Sequence, residues 1–144
     1  MTNEIIEKNL ERIKKMLNEL EGYLSAPFEE FKKDQILISA SERKFQLIVD
    51  LASDINAQIL IVEKQETPDT YRRSFTDLTK IGIIADDLAK TLATGAGLRN
   101  ILVHEYDFEE DYEKFYNSAK AIIPFLKDYV KIIYVYITRQ NFNR

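Results

Sequence analysis

The stretch Gly97-Leu-Arg-Asn-Ile-Leu-Val-His-Glu-Tyr106 decides how the rest of the chain is interpreted. Its apolar residues predict a helix packed on a core, and the same stretch holds Arg99, the only histidine (His104) and Tyr106. Histidine titrates near neutral pH, and arginine is a permanent cation whose planar group matches phosphate geometry. The stretch therefore predicts a helix that presents reactive polar groups at the edge of a packed core.

Apolar spacing before this helix predicts a helical bundle. From Ile6 to Leu24 the apolar residues alternate steps of four and three, which indicates a first helix of about 20 residues. Ser25-Ala-Pro27 interrupts it, and Pro27 suits the first turn of a following helix. A long second helix is predicted from about Asp34 to Lys64.

The segment from Gln65 to Thr70 is the clearest loop, because Pro68 blocks the continuation of a helix. Asp69 or Thr70 can cap a short helix that ends near Gly82. The next helix carries the central stretch and is predicted to begin near Ala85-Asp-Asp87, whose acidic residues favour a helix start.

Two glycines, Gly95 and Gly97, lie inside that helix, and each costs about 1 kcal/mol relative to alanine. They predict either a local distortion of the helix or the close approach of another backbone.

The last helix is predicted to open at Asp107-Phe-Glu-Glu-Asp111, with a buried side that extends from Tyr112 to Leu126 and includes Phe125. Pro124 is expected to kink it. Residues 129–137 have strand-like preferences, but a lone strand after four helices would have no sheet to join, which favours helix. The predicted fold class is all-α, a bundle of about five up-and-down helices in one domain spanning residues 1–144.

Composition excludes several classes of function. With 45% apolar and 31% charged residues, the chain has the composition of a folded globular domain. The absence of cysteine excludes disulfides, a thiol nucleophile and structural zinc, and a single histidine excludes a multi-histidine metal cluster within one chain. No cofactor is predicted. Neither a secretory signal nor an apolar run of about 18 residues is visible, so a cytoplasmic protein that contacts no membrane is expected.

The net charge of −4 argues against a broad electrostatic grip on nucleic acid. An RNA partner would need a local basic patch, for which the candidates are Arg72-Arg73, Lys80, Lys90 and Arg99. The ordinary alternative is that most of these side chains lie on solvated helix faces.

Gly97, Arg99-Asn100 and Val103-His104-Glu105-Tyr106 resemble the Arg-x4-His-x-Tyr motif of the HepT-like branch of the HEPN superfamily. The similarity extends over roughly Ser39 to Val130. It includes Glu42-Arg43 and Asp54 on the long helix and the stretch Ile83-Ile-Ala-Asp-Asp-Leu88 before the motif.

The resemblance implies a homodimeric helical bundle in which Arg99 and His104 cleave RNA without a metal ion. It further implies a toxin whose antitoxin is a small nucleotidyltransferase encoded nearby, which transfers AMP to Tyr106. Asn100 and Asp54 match polar positions that line the site in such proteins.

Chemistry supports the same function, because the 2′-hydroxyl of RNA can attack the adjacent phosphate if one group moves protons and a cation stabilises the charge on phosphorus. Positions five apart on a helix diverge by about 140°, so one rigid helix does not aim Arg99 and His104 at one point. A dimer that joins two copies of this helix, with Gly95 and Gly97 permitting close approach, would assemble a composite site.

Several alternatives remain open at this stage. His104 could satisfy a helix end, Asp54 could be a buried partner of Arg99 instead of a site residue, and Asn100 is placed to orient the imidazole. For the whole chain, the leading hypothesis is a ribonuclease toxin acting on mRNA or tRNA. The alternatives are a non-catalytic HEPN subunit that binds nucleotide or substrate for a partner nucleotidyltransferase, and a purely structural helical protein.

Overall fold

The computed structural model describes residues 2–103 and 109–142, with side chains described for residues 3–99 and 112–140. Within these ranges the chain forms six helices and no strand: α1 (Thr2–Tyr23), α2 (Phe28–Phe31), α3 (Gln35–Val62), α4 (Tyr71–Lys80), α5 (Asp86–Val103) and α6 (Glu109–Phe142). The all-α prediction is confirmed. The sequence analysis did not predict the short α2 as a separate helix.

Side-chain caps explain where the helices begin. Asp34 accepts a hydrogen bond from the Leu37 amide at 3.0 Å and starts α3, as predicted. Thr70 does the same for the Arg73 amide at 3.0 Å and starts α4. Both caps were visible in the sequence because short polar side chains precede the apolar periodicity.

Helices α3 and α4 end in the same way. Lys64 (φ 60°) and Gly82 (φ 72°) adopt the left-handed conformation immediately after the C-cap residue. The amides that follow bond back to carbonyls of the last turn, as in a Schellman motif. Helix α3 therefore ends at Val62, two residues before the predicted end, because a left-handed residue cannot continue the helix.

The apolar stripe of α1 is buried in full, and it packs with α3 and α6 in one core that also includes residues of α2, α4 and α5. Helix α6 continues through Pro124 and through residues 129–137, which confirms helix over strand there. The predicted burial of Phe125 is wrong, since that side chain is 40% exposed. It lies beside Pro124, on the outward side of the helix.

A buried polar network connects α6, α3 and α4. The Tyr129 hydroxyl donates to Asn56 Oδ1 at 2.5 Å and lies 3.1 Å from the Ala52 carbonyl. Asn56 Nδ2 donates to Ser74 Oγ at 3.2 Å, and Ser74 Oγ donates to the Tyr71 carbonyl at 2.7 Å. Because buried polar groups are costly unless paired, this network holds the first turn of α4 at one position over α3.

The two glycines of α5 have different surroundings. A methyl group added at Gly95 would collide with the Ile122 side chain of α6, whereas one added at Gly97 would meet only Arg72 Nη1, at 3.8 Å. Helix α5 runs through both positions. The close neighbour of Gly95 is therefore a side chain of the same chain, and the prediction that Gly95 admits a second copy of the helix is wrong.

One described helix, α3, is long and apolar enough to cross a bilayer by length and composition, although the sequence analysis found no such stretch. Half of its most apolar segment is buried within the bundle. Packing in the core therefore accounts for its apolar character.

Candidate active site

The residues predicted for the site are only partly within the described part of the structure. Arg99 lies on α5, and Asp54 is an exposed residue of α3. Asn100 also belongs to α5, but its side chain lies outside the described residues, as do His104 and Tyr106 altogether. Helix α5 is described as far as Val103, and His104 follows Val103 in the sequence.

Arg99 is held by contacts from two other helices. Its Nε donates to Asp50 Oδ1 on α3 at 3.1 Å, and its guanidinium carbon lies 4.6 Å from the ring centroid of Tyr71 on α4. The Arg99 side chain is 18% exposed. The carboxylate sets the direction of the guanidinium and the ring supports its face, so the cation has one orientation.

The Asp50 bond uses Nε and leaves the two terminal NH2 groups of Arg99 without an ion pair among the described residues. Those two groups form the fork that binds phosphate or carboxylate in bidentate fashion. Arg99 is therefore oriented by one anion while it keeps donors for a second.

Asp50, and not Asp54, is the carboxylate that binds Arg99, so the interpretation of Asp54 as a buried partner of Arg99 is wrong. Asp50 lies one helical turn before Asp54, and the Asp50 side chain is 32% exposed. Asp54 is exposed, but nearby groups partly desolvate its carboxyl and so raise its pKa, and the negative charge of Asp50 raises it further. Asp50 could have been recognised from the sequence as the charged residue in an apolar stretch of α3.

Tyr71 is a second residue that sequence reasoning missed, because its spacing placed it on the apolar side of α4. In the structure it is half-buried and its ring packs on the Arg99 guanidinium. Burial raises the pKa of the Tyr71 hydroxyl, and the charge of Asp50 and a hydrogen bond with it act in the same direction, while Arg99 opposes them. Tyr71 is therefore a neutral support for the cation.

The predicted basic patch separates into neutralised and unneutralised cations. Arg73 lies 3.4 Å from Asp69 and 3.7 Å from Asp77, and Lys80 lies 3.2 Å from Asp77. Arg73 and Lys80 therefore fit the alternative to an RNA-binding patch, in which the basic side chains lie on solvated helix faces. Arg72 is exposed and has no ion pair within the described residues. No three His, Cys, Asp or Glu side chains in the described part form a group that could hold a metal ion.

Similar proteins carry related names. The chain is 40% identical to a tRNA nuclease HepT from Aphanizomenon flos-aquae over 105 residues, which is 72% of this chain and 70% of that protein. It is 29% identical to an mRNA nuclease HepT from Shewanella oneidensis over 135 residues, covering 83% of this chain and 98% of that protein.

Solved structures share the fold. A chain from the crystal structure of a mutant MntA–HpeT toxin–antitoxin complex superposes with a TM-score of 0.82 at 23% identity, covering 92% of this chain and 98% of that one. A structure of a tri-AMPylated Shewanella oneidensis HEPN toxin with its MNT antitoxin gives 0.79 at 22% identity, with coverage of 91% and 97%. At these identities the likeness establishes the helical architecture.

The family profile described as Ribonuclease HepT-like matches residues 6–133, which includes every helix from α2 to α5 and most of α1 and α6. The matched range includes residues 97–106. The chain belongs to the Ribonuclease HepT-like family of the HEPN superfamily.

Proposed function

We propose that this chain is a metal-independent ribonuclease toxin that cleaves RNA with Arg99 and His104. The observation that carries the proposal is the orientation of Arg99 by Asp50 and Tyr71, with its terminal nitrogens left for a second anion, on the helix that leads directly to His104. The names of the relatives, a tRNA nuclease and an mRNA nuclease, support RNA as the substrate of this chain.

In the proposed reaction, the 2′-oxygen of one nucleotide attacks the adjacent phosphorus and the bond to the leaving 5′-oxygen breaks. The products are a 2′,3′-cyclic phosphate and a 5′-hydroxyl. One imidazole accepts the proton of the 2′-hydroxyl, and an imidazolium donates a proton to the leaving oxygen. The terminal nitrogens of Arg99 bind the phosphate oxygens, where negative charge grows in the transition state.

The proposed reaction uses one imidazole to accept a proton and a second to donate one, but each chain contains only one histidine. The functional unit is therefore proposed to be a homodimer in which two copies of the motif supply Arg99 and His104 to a shared site. Asn100, four residues before His104, is proposed to orient the imidazole. Asp54, one turn from Asp50 on α3, is proposed to line the site.

The proposed partner is a minimal nucleotidyltransferase antitoxin that transfers AMP to Tyr106. A relative of this fold is described as tri-AMPylated and bound to an MNT antitoxin, which supports this form of regulation. An AMP group on Tyr106, two residues from His104, would bring an anion that competes with RNA phosphate for Arg99. We place the whole chain, residues 1–144, in one HEPN-like domain that acts in the cytoplasm on mRNA or tRNA.

The catalytic assignment is tested by incubating purified protein with total RNA in EDTA and mapping the cut ends. The wild type should leave 2′,3′-cyclic phosphates, and His104→Ala and Arg99→Ala should each lower the rate by at least about 100-fold. Arg73→Ala removes a charge of the same type outside the site and should cut normally. Undiminished cleavage by His104→Ala would make the assignment wrong, and inactive wild type would favour the non-catalytic subunit.

The regulatory part is tested by expressing the chain together with the neighbouring nucleotidyltransferase and measuring intact mass. Mass increments of AMP should accompany loss of cleavage. In Tyr106→Phe the mass increments should be absent and cleavage should persist.

The shared site is tested by mixing Arg99→Ala chains with His104→Ala chains, which should restore part of the activity. A fully active monomer in light scattering would contradict the composite site.

A further inference from the structure

A groove of about 510 Å³ lies between α5 and α6, outside the Asp50–Arg99–Tyr71 cluster. Small residues of α5, among them Gly97, form one side, and the stripe Lys114, Ser118, Ala121 and Phe125 of α6 forms the other. Arg72 of α4 also lines the groove, with Nη1 3.8 Å from the position of a Cβ on Gly97.

The charge of this groove is opposite to that of the whole chain. It is lined by two cations, Arg72 and Lys114, and no described lining residue is acidic, although the chain has 24 acidic and 20 basic residues. Neither cation has an ion pair among the described residues, in contrast to Arg73 and Lys80. The other described grooves each include a carboxylate or a neutralised lysine, such as Glu11 and Lys127 beside α1.

An exposed aromatic ring lies towards the far end of the groove. Phe125 is 40% exposed, on the same stripe of α6 as Lys114 and eleven residues further along. At 1.5 Å per residue the two are about 16 Å apart along the helix, which accommodates more than one nucleotide. Cations that follow a backbone together with an aromatic ring that stacks a base are the features of single-stranded nucleic-acid binding sites.

From these observations we infer that the α5–α6 groove binds single-stranded RNA, with Arg72 and Lys114 on backbone phosphates and Phe125 stacked on a base. This inference rests on the proposed ribonuclease function and adds a substrate-binding subsite to it. Arg72 follows Tyr71 directly in the sequence and Gly97 lies two residues before Arg99, so a strand in the groove runs along the helix that carries Arg99. A second copy is a poorer occupant, since two-fold pairing of this face would bring like charges together.

The test measures binding of a fluorescein-labelled, single-stranded RNA of 12 nucleotides in a His104→Ala background that does not cut the probe. Arg72→Ala with Lys114→Ala should weaken binding at least about tenfold at low salt. The dependence of log Kd on log salt should become shallower by about 0.7 for each lost phosphate contact. Phe125→Ala should weaken binding severalfold and leave the salt dependence unchanged, because stacking releases no counterions.

The matched control is Arg73→Ala with Lys127→Ala, which removes the same charge from cations that are ion-paired with Asp69 and Glu21. It should bind within about twofold of the background protein. Equal weakening by both double variants would overturn the inference, because it would indicate only a general charge effect. A change in light-scattering mass with unchanged RNA affinity would also overturn it and identify the groove as an interface between copies.

The same series separates this inference from the proposed function. If the chain with His104 intact cuts RNA and the groove variants bind and cut RNA as the wild type does, the groove assignment fails alone. If the chain neither binds the probe nor cuts RNA, the ribonuclease function and the groove fail together.

Discussion

Two arginines beside the first turn of α4 have opposite surroundings. Arg99 is mostly buried, bonded to Asp50 and packed on Tyr71, whereas Arg72 is exposed and has no carboxylate partner among the described residues. The first has a defined direction and a partly compensated charge, and the second is exposed and has no compensating charge among the described residues. Chemistry on phosphorus requires direction, while backbone binding requires mainly charge, so the difference supports the two tasks proposed for these arginines.

The largest expected effect separates these tasks kinetically. Asp50→Asn keeps an acceptor near Arg99 but removes the anion that orients it, so kcat for RNA cleavage should fall about tenfold or more with a small change in KM. Arg72→Ala should do the reverse and raise KM with kcat nearly unchanged. Asp69→Asn removes a carboxylate that pairs with Arg73 outside the proposed site, so it is the matched control and should stay within about threefold of wild type. If Asp50→Asn and Arg72→Ala have the same kinetic signature, the distinction is wrong.

A smaller effect concerns the glycines on the two sides of α5. Gly97→Ala adds a methyl group in ordinary contact with Arg72 Nη1, at 3.8 Å, and should stabilise the fold by up to about 1 kcal/mol, the helix-propensity gain. Gly95→Ala must displace Ile122 from the core, so it should be at least about 1 kcal/mol less stable than Gly97→Ala. Urea unfolding followed by circular dichroism measures both. Equal stabilities would mean that the Ile122 side chain of α6 does not pack closely against Gly95.

The smallest expected effect is a change in the pKa of Asp54. Partial desolvation and the charge of Asp50 raise the pKa of Asp54, so Asp50→Asn should lower that pKa while desolvation keeps it above the ordinary value of 3.8. A carboxyl with a raised pKa in the folded state stabilises the fold at low pH, and that contribution is lost as the pH rises through the raised pKa. Asp50→Asn should shrink this pH-dependent contribution. Carbon-detected NMR of the carboxyl groups measures the shift, and an unchanged Asp54 would show that the two carboxylates are not coupled.

Much of the fold followed from local patterns. The α1 stripe, the start of α3 at Asp34 and the end of α4 near Gly82 depend on near neighbours in the chain and were predicted, and Thr70 was one of the two predicted candidates for the cap of α4. The end of α3 was misplaced by two residues, because a lysine and not a glycine adopts the left-handed conformation there. The exposure of Phe125 was missed because helical spacing alone does not show which flank of an apolar stripe the neighbouring helices cover.

For the site, the residue types were predictable and their partners were not. Arg99, His104, Tyr106, Asn100 and Asp54 came from the motif and the resemblance, and their roles stay predictions. The pairing of Arg99 with Asp50 joins residues 49 positions apart, and choosing Asp50 over Asp54 is a matter of one helical turn. Periodicity cannot make that choice, because both carboxylates lie on nearly the same face of α3.

By itself, the sequence determined the helices, their approximate ends and the presence of an Arg-x4-His-x-Tyr motif, because these depend on local spacing and residue chemistry. The tertiary structure alone decided that Asp50 and Tyr71 contact Arg99. It also decided that Ile122 packs against Gly95, and that Arg72 and Lys114 line the same groove. The physical reason is that each of these depends on how two or three helices pack against each other. A shift of one turn between helices would leave every local pattern intact and change every partner.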